Sequence, residues 1–175
     1  ERLQQSGVVS SSPVRELFTS HRAPLLQVIG LVLVHGVGFY IFYVFLPTYL
    51  TKATDLPMGT ALLINTVCMA LLAMLIPCMG KLSDRVGHRW VLAIGAAGLA
   101  LGSVPFFSWL SSGQLALIVT AQILITVFVS AYMGPFFAIV ATLFPVASRY
   151  TGLSISYNIA SALFGGTAPL MATLI

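Results

Sequence analysis

The ten residues Gly80–Arg89, GKLSDRVGHR, separate two long apolar runs and hold much of the charge of this chain. The whole chain of 175 residues has eight Lys and Arg side chains and four Asp and Glu side chains. The charged residues of this stretch are Lys81, Asp84, Arg85 and Arg89. A charge cluster between two apolar runs indicates a connection that stays in water, so the runs themselves are considered first.

The composition excludes a soluble globular fold. Hydrophobic residues make up 58% of the chain and charged residues 7%, whereas soluble domains have about 25% charged residues. So few charges could not cover a surface that faces water. Apolar runs of about 20 residues have the length that crosses the hydrocarbon core of a bilayer. We therefore predict an all-α membrane protein with five transmembrane helices, at about residues 25–50, 58–79, 90–110, 114–143 and 151–175.

The basic residues are distributed unevenly between the two sides of the predicted membrane domain. Residues 1–23 are polar and Ser-rich, and we expect them to form a cytosolic linker. One side of the membrane would hold only Lys52, and the other would hold Arg2, Arg15, Arg22, Lys81, Arg85, Arg89 and Arg149. Because cytosolic connections carry an excess of Lys and Arg, the residue 1 side and the stretch Gly80–Arg89 are predicted to be cytosolic.

The sequence also excludes several kinds of function. The basic residues are too scattered for a nucleic-acid interface, and the sequence has no catalytic set, phosphate-cradling loop or cofactor motif. Cys68 and Cys78 would lie about 15 Å apart along one helix, too far for a disulfide, and no metal-ligand spacing occurs. We expect both thiols to be buried as small apolar residues. The chain is therefore predicted not to be an enzyme and to need no cofactor or metal.

His35 is, apart from tyrosines, the one ionisable side chain deep inside a predicted span. An ionisable residue within the membrane is a candidate functional residue by default. Its neighbours along the helix are small or aromatic, namely Gly38, Phe39, Tyr40, Phe42 and Tyr43. One interpretation is a solute or proton site lined by aromatic rings. The other is a neutral histidine bonded to a carbonyl of a neighbouring helix.

Polar or small residues follow one face of several predicted spans. In the fourth span they recur every four residues, at Gln122, Thr126, Ser130 and Gly134. Such a face avoids lipid, so it meets either a cavity or a neighbouring helix that it holds by hydrogen bonds. In the fifth span the face consists of Asn158, Ala162, Gly165, Gly166 and Pro169, which fits a bending helix or static packing. Asn65 is interpreted as structural, and a packing face is predicted at Gly95, Gly98 and Gly102.

The stretch Gly80–Arg89 resembles the cytosolic loop signature of the major facilitator superfamily, usually written G-x-L-x-D-R-x-G-R-R/K. The matching residues are Gly80, Leu82, Asp84, Arg85, Gly87 and Arg89. His88 stands where Arg or Lys is usual. A second set of residues is similar to the metabolite:proton symporter family, which includes proline/betaine, α-ketoglutarate, citrate and shikimate transporters. This set comprises residues 46–50, 144–152, 157–158 and 164–169, with departures at Thr142 and Ala147.

The resemblance implies part of a major facilitator fold. Members have twelve spans in two six-helix halves, and the two motifs place this chain as the linker between the halves followed by spans seven to eleven. The two halves would rock around a site near the midplane, giving alternating access. The resulting candidates for the solute or proton pathway are His35, Tyr40, Tyr43, Gln122, Thr126 and Asn158.

The same resemblance gives the charged stretch a mechanical role. Gly80 and Gly87 suit a tight turn between two spans, and Asp84 would cap a helix N-terminus or pair with Arg until the halves move. The candidate residues of this conformational latch are Gly80, Asp84, Arg85, Gly87, Arg89 and Arg149. Their partner would be the N-terminal half of the same protein.

These observations predict a secondary active transporter in a bacterial inner membrane. It would couple protons to the symport of a small polar, zwitterionic or organic-acid solute by alternating access. The alternatives are a major facilitator exporter or antiporter and an inactive truncated membrane protein, because the chain starts at Glu1 and stops inside an apolar run. The expected partners are the solute, protons, the lipid bilayer and the N-terminal half, with no nucleic acid.

Overall fold

The computed structural model describes residues 22–143, 149–162 and 167. Every regular element in these ranges is a helix. In chain order they are α1 (Arg22–Phe39), a π-helical turn (Tyr40–Phe45), α2 (Leu46–Ala53), α3 (Met58–Val86), α4 (His88–Leu110), α5 (Leu115–Leu143) and α6 (Arg149–Ala160).

Four stretches of helix are long and apolar enough to cross a bilayer. They are Ala23–Ala53, Met58–Val86, His88–Leu110 and Leu115–Leu143, with mean hydropathy between 1.8 and 2.3. At about 1.5 Å per residue each exceeds the roughly 30 Å of the hydrocarbon core. The prediction of an all-α membrane protein is confirmed. The fifth predicted span is described as α6 and up to residue 162, and its remainder, like residues 1–21, lies almost wholly outside the described residues.

The charged stretch Gly80–Arg89 is not an open loop, and this corrects the sequence-based expectation. α3 continues to Val86, α4 begins at His88, and Gly87 alone separates them. Gly87 has φ of 107°, a conformation that favours glycine. Its N–H donates to the Ser83 carbonyl, which completes the last turn of α3. The charges of this stretch therefore lie on the last turns of α3 and the first turn of α4.

Gly80 also differs from the expectation, because it lies within α3 and not in the turn. It meets Gly134 of α5, where a Cβ added to Gly134 would lie 2.8 Å from the Gly80 nitrogen. Two glycines at this crossing let the backbones of α3 and α5 approach closely. α5 is continuous through Pro135.

α5 is the central helix of the described part of the chain. It packs against α3 and α4 along much of its length and also meets α1. One apolar cluster joins the π-helical turn, α2 and α3 to α4 and α5, and a second joins α1 and α6 to the later part of α5. α5 therefore contributes side chains to both clusters, and each cluster involves a different set of neighbouring helices.

α4 meets α5 through the glycine face that its sequence predicted. A Cβ at Gly95 would lie 2.6 Å from the backbone nitrogen of Tyr132, and a Cβ at Gly98 would lie 2.1 Å from the Phe128 ring. At Gly102 the corresponding space is filled by Phe106 of the same helix. The first two glycines therefore allow a dry backbone contact that larger side chains would prevent.

Candidate solute cavity and buried polar ring

His35 lies in α1 and faces α5 and α6. Its imidazole stacks on the Phe136 ring, with centroids 4.9 Å apart and planes inclined by 18°. The Tyr157 ring of α6 lies 6.3 Å from the imidazole in a tilted arrangement. The local sequence permits these rings to approach the imidazole, because Gly36, the residue after His35, has no side chain. Aromatic packing thus fixes the position of the imidazole.

A cavity of about 390 Å³ opens beside this imidazole. It is lined by His35, Gly36, Phe39, Tyr40, Met133, Tyr157 and Ser161. Its walls combine aromatic rings with an imidazole and three hydroxyl groups and include no Asp, Glu, Lys or Arg. A site of this composition suits a small solute without net charge.

The His35 imidazole has no hydrogen bond in the part of the chain that the structure describes, and its Nδ1 is fully buried. The expected alternative, a bond to a carbonyl of a neighbouring helix, is not formed. The Leu31 carbonyl, one turn earlier in α1, accepts instead from the Tyr132 hydroxyl at 2.8 Å. An unsatisfied buried polar atom costs about 1–3 kcal/mol, so a retained histidine here calls for an explanation beyond packing.

Four buried residues form a closed hydrogen-bond ring between α3, α5 and the π-helical turn. The Tyr43 hydroxyl donates to Thr126 Oγ1 at 3.0 Å, and the Thr126 hydroxyl donates to the Gln122 carbonyl at 2.7 Å. Gln122 Nε2 donates to Asn65 Oδ1 at 3.1 Å. Asn65 Nδ2 closes the ring by donating to the Tyr43 backbone carbonyl at 3.0 Å. We call these four residues the polar ring, and none is more than 7% exposed.

The polar ring separates three of the predicted pathway residues from the cavity and agrees with the structural interpretation of Asn65. Tyr43, Gln122 and Thr126 do not line the 390 Å³ cavity. Each of them makes a hydrogen bond within the polar ring instead. Asn65, which the sequence suggested to be merely structural, links two members of the ring. A signal for it did exist, since two carboxamides within spans can satisfy each other and so avoid lipid. Gln122 Oε1 is buried and has no hydrogen-bond partner in the described part of the chain.

The other predicted pathway residues divide between the cavity and its surroundings. Tyr40 lines the cavity, as expected. Asn158 does not, because it is exposed and its amide donates to the Ser154 carbonyl of its own helix at 2.7 Å. Tyr157 and Ser161, on either side of it in sequence, reach the cavity instead. The predicted small-residue face of the fifth span at Gly165, Gly166 and Pro169 lies outside the described residues.

The predicted latch residues lie where α3 meets α4. Asp84 is exposed, and its Oδ1 lies 3.9 Å from Nε2 of His88, which makes an ion pair only when the imidazole is protonated. The Ser83 hydroxyl donates to the Gly80 carbonyl at 2.7 Å and lies 2.9 Å from His88 Nδ1. Since that hydroxyl has one proton, His88 Nδ1 must be the donor to it. His88 thus joins the last turn of α3 to the start of α4.

Arg85 and Arg89 have no ion pair among the described residues. Asp84 therefore does not pair with Arg85 or Arg89 within this chain, contrary to one of the two expected arrangements. Arg89 is exposed and borders a cavity of about 610 Å³ that lies between α1, α4 and α5. The side chain of Arg149, the remaining predicted latch residue, is outside the described part.

The two cysteines differ in their environment. Cys68 is buried, as expected, whereas Cys78 is exposed, so the prediction that both are buried was wrong for Cys78. Cys78 lies on the outer side of α3, where an apolar thiol can face lipid. Within the described ranges no group of His, Cys, Asp and Glu could hold a metal ion.

The fold, the glycine crossing and the charged helix ends agree with one family. The family model of the Major Facilitator Superfamily matches residues 28–175. The chain belongs to the Major Facilitator Superfamily. Transporters of this superfamily are not enzymes, and the similar proteins are named as transporters, so the non-enzyme prediction is confirmed as well. No solved structure matches the chain.

Three characterised relatives are transporters of related solutes by name. The chain is 32% identical over 151 residues to an ectoine/proline transporter of Corynebacterium glutamicum, covering 86% of this chain and 30% of that protein. It is 32% identical over 158 residues to a glycine betaine/proline/ectoine/pipecolic acid transporter of Dickeya dadantii, covering 90% and 31%. It is 30% identical over 172 residues to a proline/betaine transporter of Salmonella typhimurium, covering 98% and 34%. The chain thus spans about a third of the length of these relatives.

Proposed function

We propose that the protein to which this chain belongs is a proton-coupled symporter of a small zwitterionic solute such as proline or a betaine. The observation that carries the proposal is the 390 Å³ cavity, which has aromatic and hydroxyl walls and no formal charge. The names of the three relatives support the same solute class. The superfamily makes the chain part of an integral membrane transporter, and we place it in a bacterial inner membrane.

The cavity has complementary groups for both ends of a zwitterion. The faces of Phe39, Tyr40 and Tyr157 suit a secondary or quaternary ammonium group through cation–π attraction. The hydroxyl of Ser161 and the accessible edge of the His35 imidazole suit a carboxylate, which accepts hydrogen bonds. A volume near the lower end of the roughly 300–1,000 Å³ range of ligand sites favours a small solute.

Transport would proceed by alternating access, with the N-terminal half of the same protein supplying the other wall of the cavity. The excess of basic residues on one side supports an orientation with the residue 1 side and the junction of α3 and α4 in the cytosol. In this orientation Asp84, Arg85 and Arg89 face the cytosolic edge of the other half and serve as the latch. His35 is the candidate proton group within the described spans.

The test is uptake of labelled proline and glycine betaine by the full-length protein in proteoliposomes. An inwardly directed proton gradient is expected to drive accumulation, and an uncoupler is expected to abolish it. Uptake of these solutes only by exchange against an outward gradient would indicate an antiporter. Failure of the full-length protein to move either solute under any gradient would overturn the proposal.

A matched variant assigns the uptake to this cavity. His35→Phe retains the ring that stacks on Phe136 and removes both nitrogens. If the imidazole contributes one hydrogen bond worth about 1.4 kcal/mol to the solute, KM rises about tenfold. Trp90→Phe, an exposed ring outside the cavity, is the control and is expected to leave KM unchanged. An unchanged KM in His35→Phe would place the solute elsewhere.

A further inference from the structure

We propose that Asn65 and Gln122 are positioning residues for the solute cavity, because they fix the π-helical turn that places Phe39 and Tyr40 in its wall. The inference rests on the proposed function, because it takes the cavity to be the solute site. Asn65 and Gln122 do not line the cavity themselves. They act through the backbone of the turn Tyr40–Phe45. Tyr40, the first residue of the turn, lines the cavity, and Tyr43 belongs to the polar ring.

The turn Tyr40–Phe45 departs from α-helical geometry. The N–H of Leu46 donates to the carbonyl of Ile41, five residues earlier, where an α-helix would use the carbonyl four residues earlier. Isolated π-helical turns inside helices are rare and frequently occur at functional sites. The wider turn rotates the residues before it relative to those after it. Its register therefore decides which side chains of α1 face the cavity.

The Asn65 amide is bonded to the middle of this turn. Its Nδ2 donates to the Tyr43 carbonyl from a different helix, and Asn65 is 7% exposed. Gln122 Nε2 engages Asn65 Oδ1, which orients the carboxamide so that its nitrogen must face Tyr43. A bond from α3 to a backbone carbonyl within a π-helical turn holds that turn in one register. Asn65 makes this bond, and Gln122 directs it.

Aromatic contacts connect the turn to the wall of the cavity. The Phe39 ring lies 5.4 Å from the Tyr43 ring and 6.2 Å from the Tyr40 ring. Phe39 and Tyr40 both line the cavity, whereas Tyr43 belongs to the polar ring. A change in the register of the turn would therefore move two rings of the proposed ammonium site together.

The polar ring is not optimised for stability alone. Gln122 is 1% exposed, yet its Oε1 has no hydrogen-bond partner among the residues that the structure describes. An apolar residue of similar size would avoid this unsatisfied oxygen. Gln122 is explained if orienting the Asn65 carboxamide contributes more to function than the unsatisfied Oε1 costs in stability.

The test compares Asn65→Leu with Ser130→Ala in the full-length protein. Ser130 is fully buried on the same face of α5, and its hydroxyl bonds within its own helix to Val127, away from the turn. We expect Asn65→Leu to raise the KM for proline or betaine at least fivefold, and Ser130→Ala to change it less than twofold. In Asn65→Leu the amide hydrogens of residues 43–48 are expected to exchange faster.

The double variant Asn65→Leu/Gln122→Leu separates positioning from stability. Replacing both partners by apolar groups is expected to restore much of the thermal stability that Asn65→Leu loses. The raised KM is expected to persist, because the Tyr43 carbonyl still lacks its donor. If KM returned to the wild-type value together with stability, Asn65 would be a structural residue and the inference would be overturned.

Failure of the proposed function has a different signature. If the wild-type protein moved no solute, the symport proposal would fail and hydrogen exchange alone would test the turn. Faster exchange at residues 43–48 in Asn65→Leu but not in Ser130→Ala would support the positioning of the turn. Equal exchange in both variants would overturn it.

Discussion

The two faces of α5 show contrasting ways to pack helices in a membrane. Towards α4, the contact is made by Gly95 and Gly98 against backbone and ring atoms, with no side-chain hydrogen bond between the two helices. Towards α1 and α6, and at the polar ring shared with α3, the contact includes buried hydrogen bonds, a histidine Nδ1 with no hydrogen bond among the described residues and a cavity of about 390 Å³. The first interface is dry and close, and the second is polar and incompletely filled.

From this difference we expect some helices to stay packed together and others to rearrange when a solute binds. A close glycine contact has little room for a second arrangement, since shifting the helices would lose packing that lipid does not replace. An interface with a cavity and unsatisfied atoms can gain contacts when a solute or a proton arrives. If the proposed function holds, we expect α4 and α5 to form a rigid unit and the solute pathway to lie on the α1 side of α5.

The largest effect on stability is expected at the dry interface. Gly95→Ala places a methyl group 2.6 Å from the Tyr132 nitrogen, and such overpacking costs about 1–3 kcal/mol. Gly59→Ala, where nothing lies within 4 Å, is the matched control. It is expected to be neutral or to stabilise the helix by up to about 1 kcal/mol. Thermal unfolding in detergent measures both, and equal midpoints would show that the interface is not close-packed.

An intermediate effect is expected in the polar ring. Tyr43→Phe and Thr126→Val each remove one buried hydrogen bond between the turn and α5, with a cost of about 0.5–1.5 kcal/mol. Because both changes break the same bond, the double variant should lose less than the sum of the two. Strict additivity of the three unfolding midpoints would mean that the Tyr43–Thr126 bond does not form in the membrane.

The smallest effect on stability is expected at the latch. Asp84→Asn removes an exposed contact with His88 at 3.9 Å, and exposed ion pairs contribute between zero and about 1 kcal/mol. The unfolding midpoint is therefore expected to stay within error of the wild type. Transport by the full-length protein is nevertheless expected to fall, because the proposed latch contact of Asp84 is with the other half. Equal losses of membrane insertion and transport would make this stretch a topology signal only.

Composition and charge order were sufficient to predict the helical membrane fold, because lipid leaves few options for the backbone. The glycine face of α4 was also predicted, since small residues at helical spacing have one common use in membranes. The helical course of Gly80–Val86 was not, because glycines and charges suggest a turn unless the partner helix is known. Gly80 is explained by Gly134, which is more than fifty residues away.

The candidate site was predicted in part. His35 and Tyr40 line the cavity, but a polar face alone does not distinguish a cavity wall from a hydrogen-bond ring. Gln122 and Thr126 therefore appeared as pathway residues, although their partners are Asn65 and Tyr43. Which polar groups form hydrogen bonds with each other depends on how three helical segments cross, and the sequence alone does not show that crossing. The π-helical turn likewise has no sequence signal of its own.

Solute protection of an introduced cysteine tests the central claim most directly, namely that the α1 side of α5 is the solute pathway. In full-length protein with Cys68→Ala and Cys78→Ala, Ser161→Cys would carry the probe in the cavity wall. Ser112→Cys, in the exposed turn between α4 and α5, would serve as the control. We predict that proline or betaine slows modification of Ser161→Cys by a polar thiol reagent and leaves Ser112→Cys unaffected. Equal modification rates at Ser161→Cys with and without a solute that the protein transports would contradict the account.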